Sequence, residues 1–181
     1  LGLRSMRRLA FLTPNILLNL IAVSVIAYFD KTLQAVIALA VFMPIISDMS
    51  GCSGSQSVAV SIRELGLGLI KPRDYLLIVR KESQLALING IVLGLIVGLL
   101  AAGYGYFFVD FNHQLGPLFL GAVIGGALAI NTLNGAVVGG LIPLFLKWMG
   151  IDPALAAAPI LTTITDMCGF FLVLGMASGA L

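Results

Sequence analysis

The chain of 181 residues is 60% hydrophobic and 10% charged, with a mean hydropathy of +1.10. Soluble domains usually carry about 25% charged residues, so this composition excludes an ordinary soluble protein and indicates an integral membrane protein in a lipid bilayer. The net charge of +2 does not favour a nucleic-acid partner. The two cysteines both lie in apolar stretches and do not form the pattern of a disulfide framework.

Five apolar stretches are each long enough to cross the bilayer as an α-helix, which takes roughly twenty residues. In chain order they cover residues 9–29, 33–62, 84–108, 115–146 and 154–180. The first follows basic residues, as the core of a signal peptide does, but it has no small-residue cleavage site and is expected to be retained. The sequence therefore predicts a single all-α membrane domain, residues 1–181, with five transmembrane helices.

The second and fourth stretches contain residues that favour a break in the helix. The fourth includes the run Asn-Thr-Leu-Asn-Gly and then Pro143. Broken backbone at membrane depth is tolerated only where protein or a water-filled cavity satisfies its polar groups. We therefore expect both helices to be broken, the second at its small residues, which are Ser50, Gly51, Ser53 and Gly54.

Small and amide residues elsewhere indicate helix packing rather than function. Glycines at four-residue spacing let helix backbones approach closely, and here they are Gly90, Gly94, Gly98, Gly121 and Gly125. The amides that we expect to form interhelical hydrogen bonds are Asn89, Asn131 and Asn134.

Lysine and arginine residues are concentrated on one side of the five stretches. The N-terminus and the connections before residues 84 and 154 hold nine of the ten, and Lys31 lies in a tight turn on the other side. The positive-inside rule predicts a multi-pass protein of the cell (inner) membrane with a cytoplasmic N-terminus, an outer C-terminus and Trp148 in the inner aromatic belt. The mixed segment 63–82 is expected to lie on the cytoplasmic headgroups as an amphipathic connector.

Two carboxylates, Asp48 and Asp166, lie inside predicted spans. Ionisable groups at that depth cost several kcal/mol, so they usually face a bundle interior or a wet cavity. Helical spacing places Asp166 on one face with Thr162 and Gly169. The same spacing places three polar residues on the face of Asp48, namely Cys52, Ser55 and Gln56.

These residue types suit a hydrated divalent cation. Mg²⁺ gives up its water shell reluctantly. One aspartate beside threonine hydroxyls does not replace the six waters of that shell, but it does hydrogen-bond to them. Two copies across a symmetric dimer would add a ring of negative charge. The alternatives are that Asp166 is protonated or paired with a neighbouring helix and that Asp48 caps a helix end. The candidate metal-site residues are Asp166, Thr162, Thr163, Thr165, Asp48, Ser55, Gln56 and Cys52.

Further acidic and imidazole groups lie near the ends of the spans. Asp30, Asp110 and His113 are placed to attract cations at the outer mouth, although each also fits a solvated loop residue. Glu82 and Asp152 are placed to attract cations at the cytoplasmic mouth. A helix-capping role fits each of them equally well.

Several motifs, in order along nearly the whole chain, resemble the membrane domain of the MgtE magnesium channels. The most specific is Asp-Pro-Ala-Leu from Asp152, followed by the threonine-rich block at 159–169. Four shorter motifs add to the resemblance: Leu-Leu-Asn-Leu from Leu17, Gly-Ser-Gln-Ser from Gly54, Lys-Glu at 81–82 and Gly139-x-x-x-Pro143. The resemblance implies a homodimer with five transmembrane helices per subunit and a pore at the dimer axis, lined by the second and fifth helices. It implies that Asp166 binds hydrated Mg²⁺. Family members usually carry cytoplasmic regulatory domains, which this chain does not contain, so we expect either the membrane part of a longer protein or a protein without that gate.

The chain departs from the family pattern in both helices that the resemblance assigns to the pore. Cys52 stands where an asparagine is usual, Asp48 where a small residue is usual, and Ala158 where an asparagine often precedes the proline. Thiols favour softer metals, so Cys52 and Cys168 extend the hypothesis from Mg²⁺ to Zn²⁺ or Co²⁺, with Mn²⁺ a further divalent candidate. The alternative is that both cysteines simply pack.

Three other functions use the same residues. An intramembrane aspartyl protease needs two carboxylates that share a proton, but neither Asp48 nor Asp166 follows the expected Gly-x-Gly, and we expect no enzyme. A cation exchanger coupled to Na⁺ or H⁺ would use the same carboxylates, and the sequence does not separate it from a channel. If the chain is instead a structural membrane subunit without a transport role, neutralising both aspartates is expected to change only its stability.

Overall fold

The computed structural model describes residues 2–109 and 116–179, without the side chains of residues 2–5, 7–12 and 35. Within those ranges the chain forms helices and no strand, which confirms the all-α prediction. The helices are α1 (Gly2–Tyr28), α2 (Asp30–Ala35), α3 (Ala38–Gly66), α4 (Tyr75–Phe108), α5 (Pro117–Trp148) and α6 (Pro153–Ser178).

Three of the described helices, α4, α5 and α6, are long and apolar enough to cross a membrane. They contain most of three predicted stretches and confirm a multi-pass membrane protein. Helix α1 has a shorter apolar segment at Thr13–Tyr28. Helix α3 has 29 residues, but its serines, aspartate and glutamine make it more polar. The count of five spans stays a prediction.

The predicted break in the second helix is wrong, because α3 continues through Ser50, Gly51, Ser53 and Gly54. The Ser50 hydroxyl donates to the Ile46 carbonyl at 2.7 Å, one turn back, so its polar group is satisfied inside the helix. A Cβ at Gly54 would lie 2.6 Å from the Gly135 carbonyl oxygen. This glycine therefore serves close packing of α3 on α5 and leaves the backbone helical.

The predicted break in the fourth helix is also wrong, because α5 is continuous from Pro117 to Trp148 with Pro143 inside it. The Asn131 side chain donates from Nδ2 to the Thr165 carbonyl oxygen of α6 at 2.9 Å. Its polar amide is thus used between helices, as expected, and does not interrupt its own helix. Asn89 instead lies exposed on α4.

The expectation that the segment 63–82 lies on the headgroups as an amphipathic connector is wrong, because it does not form a separate surface helix. Residues up to Gly66 complete α3, and residues from Tyr75 open α4 nine positions before the predicted span. Helices longer than the bilayer is thick extend beyond it. An ion pair between Lys81 Nζ and Glu64 Oε1, 2.6 Å apart, joins the two extensions.

Helix α5 lies at the centre of the bundle, where it packs against α3, α4 and α6, while α1 packs on α6. Ile124, Ala127 and Leu128 are fully buried at helical spacing. Glycines bring α4 and α5 into backbone contact: a Cβ at Gly94 would lie 2.6 Å from the Gly125 carbonyl oxygen. Because lipid is as apolar as leucine, such close packing stabilises membrane helices where hydrophobic burial does not.

Candidate cation site

An open cavity of about 640 Å³ lies between α3 and α6. It gathers most of the polar side chains that the sequence singled out on these two helices. Its lining consists of Pro44, Ser47, Asp48, Gly51, Cys52, Ser55, Gln56, Thr162, Thr165 and Asp166. No basic residue is among them, so within the described part of the chain the two carboxylates face the cavity without a compensating positive charge.

Asp166 is half-buried on α6, and its Oδ1 accepts a hydrogen bond from the Ser47 hydroxyl of α3. Ser47 was missed by the sequence prediction, which followed the face of Asp48. Ser47, Gly51 and Ser55 recur every four residues in the sequence, and this spacing carries the signal that would have identified it. The bond fixes the orientation of the Asp166 carboxylate relative to α3.

The position of Asp166 along α6 depends on how that helix begins and packs. Asp152 is the N-cap, and its carboxylate accepts a hydrogen bond from the Ala154 amide at 3.0 Å. The capping alternative for Asp152 is therefore confirmed. Pro153 takes the first helical position, where its missing N–H costs nothing. Farther along, a Cβ at Gly169 would lie 2.7 Å from Asn131 Nδ2, so only glycine leaves room for the amide that holds α6.

Asp48 lies in the interior of α3 and is exposed on the cavity side. An interior position excludes the helix-capping alternative, because caps sit at helix ends. The Cys52 sulfur lies 4.0 Å from Asp48 Oδ1, one turn farther on, and is itself exposed. Ser55 and Gln56 continue the same exposed face. Helix α3 thus presents a carboxylate, a thiol, a hydroxyl and an amide in a row.

The threonines of α6 divide between two faces. The Thr162 and Thr165 hydroxyls donate to carbonyl oxygens of their own helix at 3.0–3.2 Å. Thr162 is exposed, and its oxygen retains lone pairs that accept hydrogen bonds from water, whereas Thr165 is fully buried. Thr163 lies away from the cavity: it is buried, and its hydroxyl lies 3.2 Å from Asn15 Oδ1 of α1. The structure therefore separates Thr163 from the other predicted site residues.

Glu82 does not lie at a mouth and does not cap a helix, which corrects both expectations for it. It is 5% exposed inside α4, and its Oε2 accepts a hydrogen bond of 2.6 Å from the Ser57 hydroxyl of α3. Asp30 is exposed and accepts from the Gln34 amide at 2.6 Å. Asp110 and His113 lie outside the described residues.

The donor set of the cavity determines what kind of ion it can hold. Within the described ranges, no group of three or more His, Cys, Asp and Glu side chains is placed to hold a metal ion. Cys52 and Cys168 are both free thiols. A cavity with two carboxylates, hydroxyls and one amide can accept hydrogen bonds from the water shell of a cation, but it does not supply a full set of direct ligands.

The sequence of the chain matches known proteins over most of its length. Residues 43–176 match the MgtE family, described as divalent cation transporters. The magnesium transporter MgtE of Bacillus subtilis (strain 168) is 31% identical over 172 residues, which is 95% of this chain and 36% of that protein.

Two further relatives carry the same name. The magnesium transporter MgtE of Thermus thermophilus is 31% identical over 170 residues, 94% of this chain and 35% of that protein. The protein of that name from Enterococcus faecalis is 29% identical over 172 residues, 95% of this chain and 36% of that protein. The chain thus spans about a third of the length of these relatives. It belongs to the MgtE family of divalent cation transporters.

Proposed function

We propose that the chain forms a membrane pathway for divalent cations, with Mg²⁺ as the principal ion and Asp166 as the principal binding residue. The observation that carries this proposal is that Asp166 and Asp48, from two helices distant in sequence, line one open cavity without a basic residue. Unpaired carboxylates at membrane depth are costly, and ion pathways are where they recur. The relatives named as magnesium transporters support Mg²⁺ as the ion.

The ion passes the site with its water shell. Mg²⁺ demands near-ideal octahedral geometry and gives up water reluctantly, so direct coordination needs more oxygen ligands than the described cavity offers. The Asp166 carboxylate, turned by Ser47, accepts hydrogen bonds from coordinated waters. The exposed Thr162 oxygen accepts further hydrogen bonds from these waters. Retention is then weak enough for the ion to leave, as conduction requires.

Two subunits complete the pathway. The cavity is open along the faces of α3 and α6, and lipid would leave its polar residues without partners. A second copy across a twofold axis encloses the cavity and doubles its carboxylates. In this arrangement each subunit has five spans and a cytoplasmic N-terminus, and the ion moves inward. If the pathway is gated by another element, a cytoplasmic regulatory domain or partner is the candidate.

Divalent cation flux into liposomes tests the role of Asp166 directly. We expect Asp166→Asn, which removes the charge and keeps the shape, to lower Mg²⁺ flux about tenfold or more, equivalent to at least about 1.4 kcal/mol. The matched control is Asp74→Asn, because Asp74 lies in the connector and its new amide oxygen still accepts the Lys71 amide hydrogen. Gel filtration and circular dichroism establish that both variants fold.

The same assay separates a channel from an exchanger. A valinomycin-set potential drives Mg²⁺ through a channel without any other gradient, whereas an exchanger requires Na⁺ or H⁺ on the opposite side. Flux by folded Asp166→Asn equal to that of the unmodified chain would contradict the proposed site. Flux that appears only with a Na⁺ or H⁺ gradient would replace the channel by an exchanger.

A further inference from the structure

A second cavity of about 1020 Å³ lies where α4 begins and α5 ends, and it shares no lining residue with the cation site. Basic side chains from the connector form one wall, and aromatic and aliphatic side chains of the two helices form the other. The residues that matter here are Lys71, Arg73, Tyr75, Leu144, Phe145 and Trp148. Nothing in the cation pathway uses them.

The two positive charges of this cavity are not neutralised by neighbours. Lys71 and Arg73 are exposed, and within the described ranges neither forms an ion pair with a carboxylate. The nearby Asp74 carboxylate accepts from the Lys71 backbone amide at 2.7 Å and so serves the turn of the connector. The site therefore presents a net positive charge to an incoming group.

The other wall is apolar and remains at the surface of the bundle. Phe145 and Trp148 are 58% and 73% exposed, with ring centroids 6.0 Å apart. Beneath them, Leu144 is buried and packs with Ile70 and Ile78 into a small core that supports the connector. Tryptophan and tyrosine at helix ends are typical of the headgroup level of a bilayer, with the apolar ring face toward the acyl chains.

The connector holds the basic residues in a defined turn. The Leu69 amide donates to the Glu64 carbonyl oxygen at 2.9 Å, and the Asp74 amide donates to the Lys71 carbonyl oxygen at 2.9 Å. Gly68 has φ of +70°, a left-handed conformation that glycine adopts without strain. Because the turn is fixed by its own hydrogen bonds, less entropy is lost when a ligand binds between its side chains.

We propose that this cavity binds an anionic phospholipid of the leaflet at this end of the bundle. The lipid phosphate lies between Lys71 and Arg73, the glycerol region lies beside Trp148, and an acyl chain runs along Phe145. Paired positive charges beside an apolar, surface-exposed aromatic wall match a molecule that is anionic at one end and apolar at the other. The proposal requires the chain to lie in a membrane, but it is independent of the cation pathway.

Trp148 is the only tryptophan of the 181-residue sequence, so its fluorescence reports on this cavity alone. The chain is reconstituted into vesicles of phosphatidylcholine and phosphatidylglycerol, with one of the two lipids brominated in its acyl chains at a time. Bromine quenches tryptophan on contact, and the ratio of the two quenching efficiencies gives the preference for the anionic lipid. Because a basic residue near the surface favours anionic lipid by roughly fivefold, we expect a preference of several-fold.

Two double variants with equal charge loss make the test specific. Lys71→Ala with Arg73→Ala is expected to abolish the preference. Arg63→Ala with Arg80→Ala removes two exposed basic residues from the same end that do not line the cavity, and is expected to retain it. A preference that falls equally in both variants would overturn the site in favour of diffuse attraction. Equal quenching by both lipids in the unmodified chain, or quenching by neither because a protein segment covers the cavity, would overturn it too.

Discussion

Two interfaces of this bundle use the same small residues for opposite purposes. Where α4 meets α5, glycines place backbone directly on backbone, and a Cβ at Gly125 would lie 2.5 Å from the Gly94 carbonyl oxygen. Where α3 meets α6, a Cβ at Gly51 would have its nearest neighbour, Thr165 Oγ1, at 3.8 Å. There is thus no room for a side chain at Gly125, whereas Gly51 has free space beside the two carboxylates of the cavity. Spacing alone does not distinguish a packing glycine from one that borders a cavity.

The largest effect on stability is expected from adding a methyl group to a glycine at each of the two interfaces in turn. Gly125→Ala forces the α4 and α5 backbones apart, and overpacking of this kind costs about 1–3 kcal/mol. Gly51→Ala meets only ordinary van der Waals contact and gains helix propensity, so we expect its stability to stay equal or rise by up to about 1 kcal/mol. Thermal unfolding of both variants in the same detergent measures the difference. An equal loss of stability in both variants would erase the distinction between the interfaces.

A second comparison uses two serines on adjacent faces of α3. Ser47→Ala removes the hydroxyl that orients Asp166, and the loss of one hydrogen bond, about 0.5–1.5 kcal/mol, predicts a two- to tenfold lower Mg²⁺ flux. Ser50→Ala removes a hydroxyl bonded to its own helix and is expected to leave flux unchanged. Liposome flux at several Mg²⁺ concentrations separates weaker binding from fewer active proteins. Identical flux in the two variants would show that Ser47 does not position the carboxylate.

The smallest expected effect concerns the choice of metal. Cys52 adjoins Asp48 on the exposed face of α3, and thiols favour softer ions, so Cys52→Ala is expected to lower Co²⁺ flux relative to Mg²⁺ about twofold. Cys168→Ala provides the control, because Cys168 does not line the cavity. Competition between the two ions in one vesicle preparation gives the ratio directly. An unchanged ratio in Cys52→Ala would show that the Cys52 thiol does not influence the choice of metal.

The sequence identified the polar faces of α3 and α6 because membrane carboxylates and helical spacing are local signals. Asp166, Asp48, Cys52, Ser55 and Gln56 do line one cavity, although their binding of an ion stays a prediction. The glycines of α4 and α5 were read correctly as packing residues for the same reason, since their four-residue period is a property of one helix.

The features that the sequence did not predict depend on contacts between helices. Gly54, expected to break α3, instead packs against the α5 backbone, and the burial of Thr163 depends on α1 lying on α6. Ser47 became a candidate only when its hydroxyl met Asp166, which is 119 positions away. Glu82 was expected at the cytoplasmic mouth or as a helix cap, yet its side chain is buried and accepts a hydrogen bond from Ser57 of α3. Only Ser47 has a local signal, the four-residue spacing that it shares with Gly51 and Ser55. The other contacts leave no mark on the local sequence.

The buried hydrogen bond between Ser57 and Glu82 fixes the register of α3 against α4. A buried polar group that loses its partner costs about 1–3 kcal/mol, so sliding α3 along α4 is opposed by that amount. Close contact with α5 holds α3 as well, because a Cβ at Gly139 would collide with the Gly54 carbonyl oxygen. Ser47 lies ten residues before Ser57, roughly 15 Å along the same helix. A bond outside the cation cavity thus sets the height at which Ser47 meets Asp166.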